Sequence, residues 1–246
     1  MCYSASISFF FTVVGLLTAA WIAKDPKSEK LFLVPLLFYT LMEFLQTVQY
    51  FYVNQCSSTT NNFLTEIAYV LVIVQPLMWN LFFYYRSEKN GCDRKIFSVG
   101  IAFAALWMMV NVLSRFMYHP QNKIKQRAFS PPNNTKYRAC TRSIGSSHLF
   151  WNWTSADFQD LNANYLMYLM IWFIPALLTT TQRSQSLLMI LCAAVGFYIS
   201  YISGNVYTFP SVWCYISVPM IIVLLYDSLR STPRLSGGTG RTAIDR

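Results

Sequence analysis

The chain has 246 residues, 54% of them hydrophobic and 17% aromatic, and only 12% charged. A soluble domain carries about 25% charged residues, and no stretch here has a polar face large enough to cover its apolar segments, so a soluble fold is excluded. The net charge of +9 would suit nucleic acid if it were clustered, but it is spread over short connections, which points to a membrane surface and to no nucleic-acid partner.

Seven apolar segments of about 18 to 24 residues follow one another, each long enough to cross roughly 30 Å of hydrocarbon at 1.5 Å per residue. Lipid offers no partner to unpaired backbone groups, so the segments must be helices. The expected fold is an all-α integral membrane bundle of seven transmembrane helices over residues 1–230, with spans near 4–23, 31–53, 62–85, 96–118, 161–181, 186–204 and 209–227. The Gly-rich stretch 231–246 is expected to be a disordered cytoplasmic tail.

Span one starts directly after Met1 with no basic region before it, and it is too long for a signal-peptide core, so it is expected to remain in the protein. Span two carries the sharpest polar signal. Tyr39, Glu43, Gln46 and Tyr50 recur every three or four residues and share one face, with Gln49 about 60° further round. Glu43 falls near the bilayer centre, where a carboxylate costs several kcal/mol unless it is protonated or partnered. Such a group serves either a functional cavity or a structural hydrogen bond between helices.

Span three places Gln75 at nearly the depth of Glu43, and Pro76 frees a carbonyl one turn back, near Val72. Those groups are expected to complete a polar site with Glu43, while Trp79 and Asn80 read as packing residues. Span four adds Asn111 and Arg115. Arg115 either snorkels to the headgroups or turns inward toward Glu66.

Residues 119–160 form the longest connection. Asn133 and Asn152 both lie in N-x-Thr acceptor patterns, and Cys140 shares this side of the membrane with Cys56, so a Cys56–Cys140 disulfide is plausible in an oxidising compartment. The stretch 148–164 is expected to rest on the membrane as an amphipathic helix, with His148, Asp157 and Asp160 at an outer mouth. One histidine and two carboxylates fall short of a metal signature, and no metal or cofactor is expected. Spans five to seven contain uncharged hydrogen-bonding groups, among them Tyr168, Ser200 and Tyr215, with Pro175 and Pro219 as kink positions.

The basic residues sit in alternate connections: Lys24, Lys27 and Lys30, then Arg86, Lys89, Arg94 and Lys95, then Arg183, then the tail. The positive-inside rule makes that side cytoplasmic and the N-terminus external. Loop 119–160 also holds six basic residues, but loops of this length translocate largely regardless of charge.

Some chemistries are disfavoured by what the spans lack. No Lys lies within a span to form a retinal Schiff base, His119 and His148 both lie outside the spans, and no intramembrane base accompanies Ser200 or Ser217. Cys192 and Cys214 read as packing residues.

The opening Met1-Cys2-Tyr3-Ser4-Ala5-Ser6, the run Glu43-Phe44-Leu45-Gln46 with Gln49-Tyr50, the pair Gln75-Pro76 and the stretch Phe209-Pro210-Ser211-Val212-Trp213-Cys214 together resemble a family of small, uncharacterised polytopic membrane proteins of algae, protists and large DNA viruses. The resemblance covers most of the membrane region. It implies a shared bundle and no activity.

Taken with the lipid bilayer as first partner, these features lead to a protein that conducts or transports a small solute or cation, protons included. The ligand or ion cavity would be lined by Tyr39, Glu43, Gln46, Gln49, Tyr50, Gln75 and Asn111, with Arg115, Glu66, His148, Asp157 and Asp160 at its mouth. Two alternatives stay open: a receptor or envelope component whose 119–160 loop binds a partner, and an interfacial enzyme using Asp157, Asp160 and His148.

Overall fold

The computed structural model describes residues 4–26, 28–89, 91–117, 139–144, 148–153, 165–179 and 183–202, and 212–226 in part. Its helices are α1 (Ala5–Lys24), α2 (Leu33–Gln49), α3 (Thr59–Arg86), α4 (Cys92–Met117), α5 (Tyr165–Leu178) and α6 (Arg183–Ile202). The described residues among 212–226 are helical as well. Five helical stretches are long and apolar enough to cross a membrane: Ala5–Lys24, Lys30–Tyr52, Thr59–Arg86, Cys92–Ser114 and Arg183–Ile202.

The all-α expectation needs one correction. Strands β1 (Ala139–Ile144) and β2 (His148–Trp153) pair antiparallel, with Cys140 opposite Asn152 and Thr141 opposite Trp151. The 148–153 part of the expected surface helix is therefore a strand. Its aromatic residues favour a pleated, half-buried surface, and Leu149, Phe150 and Trp151 are buried there.

Helix α3 is the central element and packs against α2, α4, α5 and β1. Its buried side runs from Asn61 and Thr65 through Tyr69, Ile73 and Pro76 to Trp79 and Phe83. Helix α1 is peripheral. Ser8, Thr12, Gly15, Ala19 and Ile22 face the protein, while Phe9, Phe10, Leu16 and Leu17 are exposed on the side suited to lipid. The buried residues recur at spacings of three and four, a small-residue stripe that lets two backbones approach. A Cβ added at Gly15 would overlap Thr40 Oγ1 of α2.

Hydroxyls inside the helices bond their own backbone. Thr12 Oγ1 donates to Ser8 O (2.9 Å), Thr40 Oγ1 to Leu36 O (2.7 Å) and Thr47 Oγ1 to Glu43 O (2.9 Å). This back-bonding satisfies a polar group without a second helix.

Two helix-interior prolines, Pro76 of α3 and Pro175 of α5, meet at one junction. Pro175 of α5 has no N–H, so the carbonyl of Ile171 loses its helical donor. Asn80 Nδ2 of α3 takes that place at 3.0 Å while also donating to Pro76 O at 2.8 Å. Gly100 of α4 lies against the same pair, and a Cβ there would meet Pro175 Cγ at 2.9 Å.

The basic end is drawn together by Arg86 at the close of α3. Its Nε pairs with Glu29 Oε1 at 3.0 Å, its Nη1 donates to Gln185 Oε1 at 2.6 Å, and its guanidinium lies over Phe32 and Phe82. The Lys30 ammonium caps α1 through the carbonyls of Ile22, Ala23 and Asp25, a favourable place for a cation at a helix C-terminus. The start of α2, the end of α3 and the start of α6 thus share one end, and the hairpin sits at the other.

Candidate functional site

Glu43 lies midway along α2, fully buried. Neither of its carboxyl oxygens has a hydrogen-bond partner among the described residues. Across the seam, on α1, the hydroxyl of Ser8 is close enough to interact with the carboxyl but has no formed hydrogen bond of its own. Both positions follow from the same periodicity: Ser8 is the outermost residue of the small stripe on α1, and Glu43 follows Thr40 by one turn on the α2 face that meets it. The result is three buried oxygens without partners among the described residues, two of them ionisable, beside a helix long and apolar enough to cross a membrane. Such a set attracts a proton, a small hard cation or a neutral hydrogen-bond donor.

The other residues expected in a common cavity are distributed over several interfaces. Trp79 Nε1 donates to Tyr39 Oη at 3.0 Å, tying α3 to α2. Tyr168 Oη donates to Gln75 Oε1, so Gln75 faces α5 and makes no hydrogen bond to Glu43. Tyr69 Oη donates to Asn111 Oδ1 at 3.2 Å, and Asn111 Nδ2 donates to Trp107 O at 2.8 Å, joining α3 to α4. Gln46 is buried one turn beyond Glu43, and Tyr50 opens the short 3₁₀ turn Tyr50–Tyr52.

Gln49 belongs to the hairpin contact. Its Nε2 donates to Thr141 Oγ1 (3.1 Å) and Leu64 O (3.1 Å), and its Oε1 accepts from Trp151 Nε1 (2.9 Å). Asn61 treats Thr141 as a strand neighbour would, donating from Nδ2 to its carbonyl at 2.9 Å and accepting its N–H on Oδ1 at 2.9 Å. Thr65 Oγ1 lies 2.7 Å from Thr141 Oγ1. Asn54, at φ 66°, donates its N–H to Thr141 O at 3.0 Å and accepts Ser143 N–H on Oδ1 at 3.0 Å. The Cys56–Cys140 disulfide, with Cα atoms 5.2 Å apart, closes the same contact. Gln49 is six residues from Glu43, about 9 Å along the helix, so the hairpin covers this end of the α2–α3 interface.

Of the outer-mouth residues, Glu66 is half-buried on α3. Asp157 and Asp160 lie outside the described residues, as does Asn133, and the side chains of Arg115, His148 and Asn152 do too. Ser8, Asn54, Asn61, Thr65 and Thr141 were not singled out by sequence reasoning. The small residues of α1 at spacings of three and four were the available signal for Ser8; the hairpin anchors had none, because their partners lie about 80 to 90 residues away.

A family model described as "Family of unknown function (DUF5765)" matches residues 6–234. "Uncharacterized protein R287" of Acanthamoeba polyphaga mimivirus is 21% identical over 255 residues, covering 96% of this chain and all of that protein. No solved structure matches. The chain belongs to the DUF5765 family, an uncharacterised family with a viral relative of the same extent.

Proposed function

We propose that this member of the DUF5765 family is a seven-span membrane protein that binds and passes a small cation, protons foremost, at Glu43. The observation that carries the reading is the fully buried carboxyl with two unpartnered oxygens, placed midway along a helix that is long and apolar enough to span a bilayer. A carboxyl kept for structure alone would be expected to hold a neighbouring helix by a hydrogen bond. Among the described residues no well-formed hydrogen bond reaches the Glu43 carboxyl, and the Ser8 hydroxyl of α1 is the group close enough to interact with it.

The orientation in this reading puts the hairpin outside and the Arg86 end in the cytoplasm. Support comes from the disulfide, which persists in oxidising compartments, and from the basic connections at the opposite end. Access to Glu43 runs along the α1–α2 seam, because α1 has one face on lipid and its inward residues are small. Displacing α1 exposes the carboxyl without unpacking α3.

Proteoliposomes provide the test. Proton flux under an imposed pH gradient, repeated with Na⁺ and K⁺ gradients, is expected for the native chain, to be lost in Glu43→Gln and reduced in Ser8→Ala. Native flux that persists undiminished in Glu43→Gln rules the site out.

The hairpin favours a second reading, as a receptor or envelope component that presents residues 119–160 to a partner. A strand pair fixed by a disulfide and by Asn54 and Asn61 makes a rigid platform. Removing residues 119–138 separates the two: a cation pathway keeps its flux, whereas a platform loses its partner.

A further inference from the structure

Around Glu43 the polar atoms without a partner among the described residues are the two carboxyl oxygens and the Ser8 hydroxyl. Around Tyr168 three are N–H donors, with Asn80 Oδ1 a further acceptor where α3 meets α5. Gln75 Nε2 on α3, Trp107 Nε1 on α4 and Trp172 Nε1 on α5 are all buried and have no acceptor among the described residues. All three residues adjoin Tyr168: Gln75 accepts its hydroxyl proton, Trp107 lies at a ring-centroid distance of 6.3 Å and Trp172 at 5.5 Å.

The surroundings are aromatic and uncharged. Trp172 stacks on Trp79 at 5.5 Å and on Phe173 at 4.9 Å, and meets Trp213 edge-on at 5.3 Å. A buried amide or indole N–H without an acceptor costs about 1–3 kcal/mol, and tryptophans placed in a protein interior ordinarily find an acceptor for theirs. Three such donors about one tyrosine call for oxygen lone pairs from outside the chain. A cation has none to offer, and an anion would find no counter-charge among these side chains.

We infer that the Tyr168 cluster is a second site, separate from Glu43, that binds a neutral, flat, apolar molecule carrying a carbonyl oxygen, such as an aromatic or polyunsaturated ketone or a quinone. The flat body takes the place of one of the ring stacks now made by Trp172, with Trp79 or Phe173, and the N–H groups of Gln75, Trp107 and Trp172 compete for the carbonyl. Lipid is the natural source of such a molecule.

The test uses a matched pair of probes on the purified full-length chain. 9-Fluorenone and fluorene share one ring frame and differ by a carbonyl in place of a methylene. Equilibrium dialysis and thermal unfolding in the same detergent are expected to show saturable fluorenone binding with a raised Tm, and fluorene binding at least about tenfold weaker, the value of one good hydrogen bond. Trp107→Phe keeps a ring and removes one donor, and Gln75→Leu removes another; each is expected to shrink the fluorenone preference severalfold. Glu43→Gln is expected to leave it unchanged. Equal binding of the two probes, no binding of fluorenone up to its solubility limit, or a preference untouched in a folded Trp107→Phe protein overturns the inference.

Discussion

Replacing Glu43 by Gln separates a functional carboxyl from a structural one by the sign of its effect on stability. The substitution preserves size and removes the capacity to ionise. Among the described residues no well-formed hydrogen bond to the carboxyl is present to be lost, a Gln amide oxygen can still accept from the nearby Ser8 hydroxyl, and the Thr47 bond runs to the backbone carbonyl, which Gln retains. What changes is desolvation. An acidic side chain at the centre of a spanning helix costs up to about 3 kcal/mol when ionised, and a protonated one costs little more than an amide. Gln is therefore expected to leave stability unchanged or to raise it by up to about 3 kcal/mol, a Tm increase of up to about 10 °C for a chain of this length. Thermal unfolding of the purified protein, followed by tryptophan fluorescence in detergent, reads the change. A loss exceeding about 1 kcal/mol would mean that the carboxyl holds the bundle together, and the argument for a transferable ion would fail with it.

Gly15→Leu is expected to part α1 from α2, because even a Cβ overlaps Thr40 Oγ1; cysteine accessibility at position 8 in a Ser8→Cys background should rise, and an unchanged labelling rate would contradict the close seam. Asn80→Ala withdraws the donor from the Ile171 carbonyl that Pro175 leaves open, with an expected loss of about 1–2 kcal/mol by analogy with bonds between spanning helices, measured by thermal unfolding. Cys56→Ser opens a crosslink across 84 residues. The chain-entropy cost for such a loop is about 4–5 kcal/mol, an upper bound where spans already restrain the unfolded chain, and faster proteolysis within residues 139–153 is the expected readout.

What the sequence discloses is largely what local periodicity can encode. The apolar lengths lead to helices long and apolar enough to cross a membrane, and the spacing of Tyr39, Glu43 and Gln46 puts all three on the buried side of α2. The Cys56–Cys140 pair was legible because so few cysteines share that side. Pairing between helices was less accessible. Gln75 matches Glu43 in depth, but depth does not set rotation about the helix axis, and the Gln75 side chain turns to Tyr168 on α5. The residue that Glu43 does face, Ser8, is a small residue in a strongly apolar helix, where attention to charge overlooks it. The hairpin was hidden for a different reason: its strands are short, and the partners of Thr141 and Trp151, namely Gln49, Asn61 and Thr65, lie on helices far away in the chain.

Depth without rotation also explains why one expected cavity became two clusters. Had Gln75 faced Glu43, its amide donor would have met the carboxyl, and both groups would have been satisfied in a tight interhelical contact. Rotated toward α5, the Gln75 amide gives its oxygen to Tyr168 and keeps its N–H groups unpartnered, while the Glu43 oxygens stay unpartnered beside α1. The fold thus holds apart donors and acceptors that would otherwise satisfy one another. Each set carries its desolvation cost separately, and in a membrane that cost is not relieved by bulk water. Two deficits of opposite sense within one bundle point to two ligands of opposite sense, a donor or cation at Glu43 and an acceptor at Tyr168. A pair of substitutions that removes the carboxyl and one of the three donors, Glu43→Leu with Trp107→Phe, should accordingly stabilise the chain relative to the native one while abolishing the proposed flux and weakening the fluorenone preference.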